Sequence, residues 1–80
     1  MLDLEIAHAQ HIERVDKIIA AFQKMSEAYK ANPQAVLKIE AFRAKMVTYR
    51  QNMPKDPDEN IQRMTALRQE AAQIMQSLKK

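Results

Sequence analysis

The chain has 80 residues, 13 Lys+Arg against 10 Asp+Glu for a formal balance of +3, and no Gly, Cys or Trp. Without Gly there is no phosphate-cradling loop, nucleophile elbow or Asn-Gly hairpin; without Cys there is no disulfide framework, thiolate nucleophile or Cys-based zinc site. What remains is an all-α fold in a single small domain over 1–80, with a core too limited to make a partner or second copy surprising.

The first predicted helix runs over 2–31. Val15, Ile18, Ile19, Phe22, Met25 and Tyr29 recur at helical spacing and make one apolar stripe. Glu13, Lys17, Ala20, Lys24 and Glu27 lie away from its centre. The stripe continues backwards through Ile12, His11, His8 and Leu4. Asn32-Pro33 then divides this helix from the next, because Asn is a good N-cap and Pro at the first helical position loses no hydrogen bond.

The second predicted helix, 34–53, carries a strict seam of Ala35, Ile39, Phe42, Met46, Tyr49 and Met53, stepping by four and three. Its opposite side is not charged: Leu37, Ala41, Ala44 and Thr48 make a second stripe of mostly small residues, with Val36 and Val47 beside it. Lys38 and Lys45 run along one flank between the stripes, Arg43 and Arg50 along the other. A helix apolar on two faces is normally buried, and two neighbours cover one face better than both.

Met53-Pro54-Lys55-Asp56-Pro57-Asp58-Glu59 is the second break. Asp56 reads as an N-cap, Pro57 as the first helical residue and Glu59 as the reciprocal capping-box residue. In the third predicted helix, 57–79, Ile61, Met64, Leu67, Ala71, Ile74, Met75 and Leu78 are expected to face inward. Gln62, Gln69, Gln73 and Gln76 gather outside, and Lys79 and Lys80 complement the negative helix end.

The helix lengths do not match. At about 1.5 Å per residue the first helix spans about 45 Å and the second about 30 Å. In an up-down-up arrangement Leu2 to Gln10 overhangs, exposing Leu2, Leu4 and Ile6. That overhang is expected to pack on a second copy or on another protein.

Little in the chain suggests catalysis. His8 and His11 are one turn apart and point the same way. Two imidazoles need a third ligand to hold a metal, and no His-Glu-x-x-His pattern supplies one. The rings sit on the apolar stripe, so the expectation is an interface with ordinary hydrogen bonds, with a pH-responsive contact as the alternative. Ser26 and Ser77 have no His near them in sequence, and Asp58 and Glu59 read as helix-start residues. No enzyme, cofactor or metal is expected. The five internal methionines fall at core or core-edge positions, where Met fills space.

A sequence pI near 9.4 raises nucleic-acid binding. A recognition helix needs its bases on one solvent-facing side, whereas Lys38, Lys45, Arg43 and Arg50 split to both margins of a seam. Such side chains lay their stems over a core edge, and the slightly acidic first helix offers ion-pair partners. No run approaches the roughly 20 apolar residues of a membrane span. The opening Met-Leu-Asp-Leu-Glu-Ile lacks the basic n-region of a secretory signal, so a cytoplasmic setting is expected.

Phe22…Tyr29-x-x-Asn32-Pro33-x-Ala35…Ile39-x-x-Phe42 somewhat resembles the middle of the small helical YlbF/YmcA-type proteins, over about residues 15–52. The resemblance implies a cytoplasmic, non-catalytic regulator working through protein contacts, and no residue role is carried over from it. The reading is thus a three-helix antiparallel bundle, or an extended helical hairpin plus a third helix, completed by self-association, that acts as a protein-interaction module: a small adaptor, regulator, chaperone-like factor or assembly subunit. Its expected partner-binding residues are Leu2, Leu4, Ile6, His8 and His11 on the overhang, and Leu37, Ala41, Ala44 and Thr48 on the second helix. The alternative is a small basic nucleic-acid-binding or transcription-modulating protein.

Overall fold

The computed structural model describes residues 3–79, with side chains from Ile6 onward. It contains three helices: α1 (Asp3–Ala28), α2 (Pro33–Gln51) and α3 (Pro57–Leu78). There is no strand among the described residues. The molecule measures 46 × 18 × 17 Å, about one long helix by two helix diameters.

The helix ends follow from local chemistry. The Lys30 N–H donates to the Glu27 carbonyl at 3.3 Å and the Asn32 N–H to the Tyr29 carbonyl at 2.8 Å. These short-range bonds tighten the chain into a turn, so α1 stops at Ala28 rather than at 31. The Ala35 N–H donates to Asn32 Oδ1 at 3.3 Å, the expected N-cap, with Pro33 in the first turn. At the other end of α2 the Asn52 N–H donates to Thr48 and Tyr49 carbonyls. Met53 precedes Pro54 and is pushed out of helical geometry, so α2 ends two residues before the predicted boundary. Asp56 caps α3, accepting from the Asp58 N–H at 3.3 Å. Glu59 does not act as the predicted reciprocal cap: its carboxylate binds Arg63 Nη2 at 3.0 Å, one turn further on.

Contacts between helices set the register. Ser26 on α1 meets Glu40 on α2, and Asp16 meets Arg50, so α1 and α2 run antiparallel. Lys45 meets Glu70, and Tyr49 meets Asn60, so α3 reverses again and lies parallel to α1. The α1–α2 pair packs most closely and α3 docks on it more loosely.

Val15 and Phe22 from α1, Ile39, Phe42 and Met46 from α2, and Met64 and Leu67 from α3 form the core. The Phe22 and Phe42 rings lie 4.6 Å apart between centroids, tilted by 39°. The predicted α2 seam is buried at Ala35, Ile39, Phe42 and Met46 and half-buried at Tyr49 and Met53.

The inward stripe of α3 differs from expectation. Ile61 is 51% and Met75 45% exposed, while Asn60 is 1% exposed. The real seam is Asn60, Met64, Leu67, Ala71, Ile74 and Leu78, again stepping by four and three. Ile61, Arg68 and Met75 repeat every seven residues along its flank. Counting apolar residues hid this, because the seam's first position is polar and its neighbour is not.

Candidate interaction surface

The second stripe of α2 is uncovered. Leu37 is 73% exposed, and Ala41, Ala44 and Thr48 are exposed along the same face. Their spacing of four, three and four places them opposite the seam, so burying the seam against α1 and α3 turns this row outward. Val36 and Val47 beside it are half-buried.

Within the predicted overhang Leu2–Gln10, Ala7 and His8 are half-buried while Ala9 and Gln10 are exposed. Leu2 lies outside the described residues, and so does the side chain of Leu4. Ile6 is 41% exposed. Further along, Ala7, His8 and His11 share a small enclosed space with Lys55, Pro57 and Asn60. The connection between α2 and α3 therefore passes beside α1 at the level of Ala7, His8 and His11. His8 is half-buried and His11 is 8% exposed. His11 was expected among the partner-facing residues; it packs inside this chain instead.

His11 sits in the α1 seam, three residues past His8 and four before Val15. Its Nδ1 is buried without a hydrogen-bond partner among the described residues. Burial pushes its pKa below the ordinary histidine value, and the charges of Arg14, His8 and Arg68 push the same way. Both effects favour the neutral ring. Tyr49 belongs to the same end of the bundle: its hydroxyl donates to Asn60 Oδ1 and lies 3.3 Å from the Asn60 carbonyl. Burial raises the Tyr49 pKa.

The basic residues of α2 are largely engaged. Arg50 Nε reaches Asp16 Oδ1 at 3.0 Å, the pairing with the first helix that the sequence suggests, and Lys45 Nζ reaches Glu70 Oε2 of α3 at 2.8 Å. Arg43 Nε binds Glu40 Oε2 at 2.6 Å, and the Ser26 hydroxyl donates to Glu40 Oε1 at 3.0 Å. Those two donors hold the Glu40 carboxyl below its ordinary pKa, the arginine more than the serine.

Two grooves flank α3. One, of about 400 Å³ against α2, is lined by Thr48, Tyr49, Leu67 and the Lys45–Glu70 pair. The other, of about 390 Å³ against α1, is lined by apolar residues and by Arg14, Lys17 and Arg68. The sequence reading missed Asn60, Arg14 and Arg68. Asn60 could have been found from the four–three spacing of α3, since it lies one step before Met64. The two arginines come from different helices, and no local pattern joins them.

No group of three or more His, Cys, Asp or Glu side chains is placed to hold a metal ion among the described residues. No helix among them is long and apolar enough to cross a membrane. Comparison with protein families, curated proteins and solved structures gives no match to this chain, so the resemblance over residues 15–52 finds no support there.

Proposed function

We propose that this chain is a non-catalytic protein-interaction module, an adaptor or assembly subunit that works by burying a helix face against another helix. The exposed row of Leu37, Ala41, Ala44 and Thr48 carries this reading. Small residues let a second helix backbone approach closely, and Leu37 supplies a large side chain for it to cover. A second copy is the first occupant to test. Light scattering should give a mass above the 9.3 kDa of one chain, and Leu37→Asp should return it to that mass with helicity unchanged. If the intact chain is a monomer, a photo-crosslinker at position 37 should still capture a protein partner in cells. A monomer that captures none defeats the proposal. The basic margins of α2 favour this reading over nucleic-acid binding, because Arg43, Lys45 and Arg50 already face carboxylates.

A further inference from the structure

We infer that the groove between α1 and α3 binds an acidic amphipathic helix of another protein, which lays an apolar ridge along the groove and sets carboxylates against Arg14 and Arg68. The inference rests on the reading of the chain as an interaction module, and it names a second face and the chemistry of its partner.

The groove is apolar along most of its length. Ile18, Ala21 and Phe22 of α1 face Ala71, Ala72 and Met75 of α3 across about 390 Å³. Phe22 is 3% exposed and forms the floor, while Met75, 45% exposed, stands at the rim. Three alanines keep the walls low, so that a helix backbone can come close. Met75 is unbranched and can shift to fit what lies beside it. The looser docking of α3 on the α1–α2 pair leaves this space open.

One end of the groove is positive. Every charged side chain lining it is cationic: Arg14, Lys17 and Arg68. Lys17 has Glu13 at 3.8 Å, whereas neither arginine has an ion-pair partner among the described residues. The groove against α2 lies at the other extreme, since its Lys45 and Arg63 each face a carboxylate, Glu70 and Glu59. Arg14 and Arg68 also stand together around His11, so a third cation there meets repulsion and an anion meets attraction.

This charge selects the occupant. Two copies paired through the same groove about a two-fold axis would bring four arginines together, and each copy carries a formal +3. A nucleic acid would find phosphate partners but no exposed aromatic face to stack on, because Phe22 is only 3% exposed in the floor. An amphipathic helix with Glu or Asp beside its apolar ridge satisfies both ends of the groove.

The test uses two labelled 20-residue helical peptides with one Leu/Ile ridge, flanked by Glu in the first and by Lys in the second. Fluorescence anisotropy with the intact chain should show binding of the Glu peptide alone, weakened about tenfold between low and high salt. R14E/R68E, which changes exposed residues, should keep the helical circular dichroism signal and reverse the preference to the Lys peptide. The inference is overturned if the Glu peptide does not bind, if both peptides bind equally, or if R14E/R68E leaves binding unchanged. It is also overturned if a 20-nucleotide RNA binds through Arg14 and Arg68 while the Glu peptide does not. Leu37→Asp lies on a different face and should leave peptide binding intact. Loss of peptide binding therefore speaks against the groove alone, and loss of capture at position 37 against the α2 face alone.

Discussion

Phe42→Ala tests the packing that everything else depends on. Phe42 is 3% exposed and stacks against Phe22 at 4.6 Å, at the centre of the α1–α2 contact. Truncating a buried Phe removes its transfer energy and leaves a cavity, costing about 3–5 kcal/mol. The ring pair contributes about 0.5–1.5 kcal/mol of this beyond its buried area. A chain of this length has a total stability of about 4–12 kcal/mol, so the variant loses a large part of it. With about 6 °C per kcal/mol for so small a domain, the melting temperature should fall by about 18–30 °C. Urea unfolding followed by circular dichroism, repeated at several protein concentrations, separates this loss from any linked change in self-association. A double-mutant cycle of Phe22→Leu with Phe42→Leu should recover a coupling close to the ring-pair contribution. A loss below about 1 kcal/mol for Phe42→Ala would mean that α1 and α2 do not meet through this seam, far below the range for a buried ring.

His11 makes stability depend on pH. Its folded-state pKa is depressed, by burial first and by Arg14, His8 and Arg68 next, so below the ordinary histidine value the unfolded chain binds the extra proton more readily. Stability should therefore be full above about pH 6.5 and fall as the pH drops from there towards the folded-state pKa. His11→Leu should flatten that slope and leave stability at pH 7 equal or higher, since it removes a buried nitrogen without a partner; an unchanged slope would assign the proton uptake elsewhere. Tyr49→Phe removes the hydroxyl that serves the side-chain oxygen of buried Asn60 and should cost about 1–3 kcal/mol by urea midpoint. Adding Asn60→Leu should restore most of that loss, because both polar partners are then gone; no restoration would show that Asn60 is held by something other than Tyr49.

The two breaks, the three helices and the α2 seam are written locally. A cap such as Asn32 or Asp56 acts within three residues, and an apolar period is visible along one helix. The identity of the covering neighbour is not written there. His11 looked like an interface residue because its own helix cannot reveal that the connection after α2 passes beside it. Ile61 is exposed and Asn60 buried for a related reason: burial depends on which side of α3 meets α1 and α2, and one residue shifts a helix face by about 100°.

The same division holds for the surfaces. The row from Leu37 to Thr48 could be read from spacing, since a helix with a strict seam must turn its opposite side away. The positive groove could not, because Arg14 and Arg68 are 54 residues apart and meet only through the parallel docking of α3 on α1. Sequence by itself determined the two breaks, the caps that start α2 and α3 and the apolar seam of α2, since those choices involve groups a turn or two apart. Tertiary structure alone decided which polar groups were enclosed and which cations stood together, since distances across the bundle follow from packing and not from chain order.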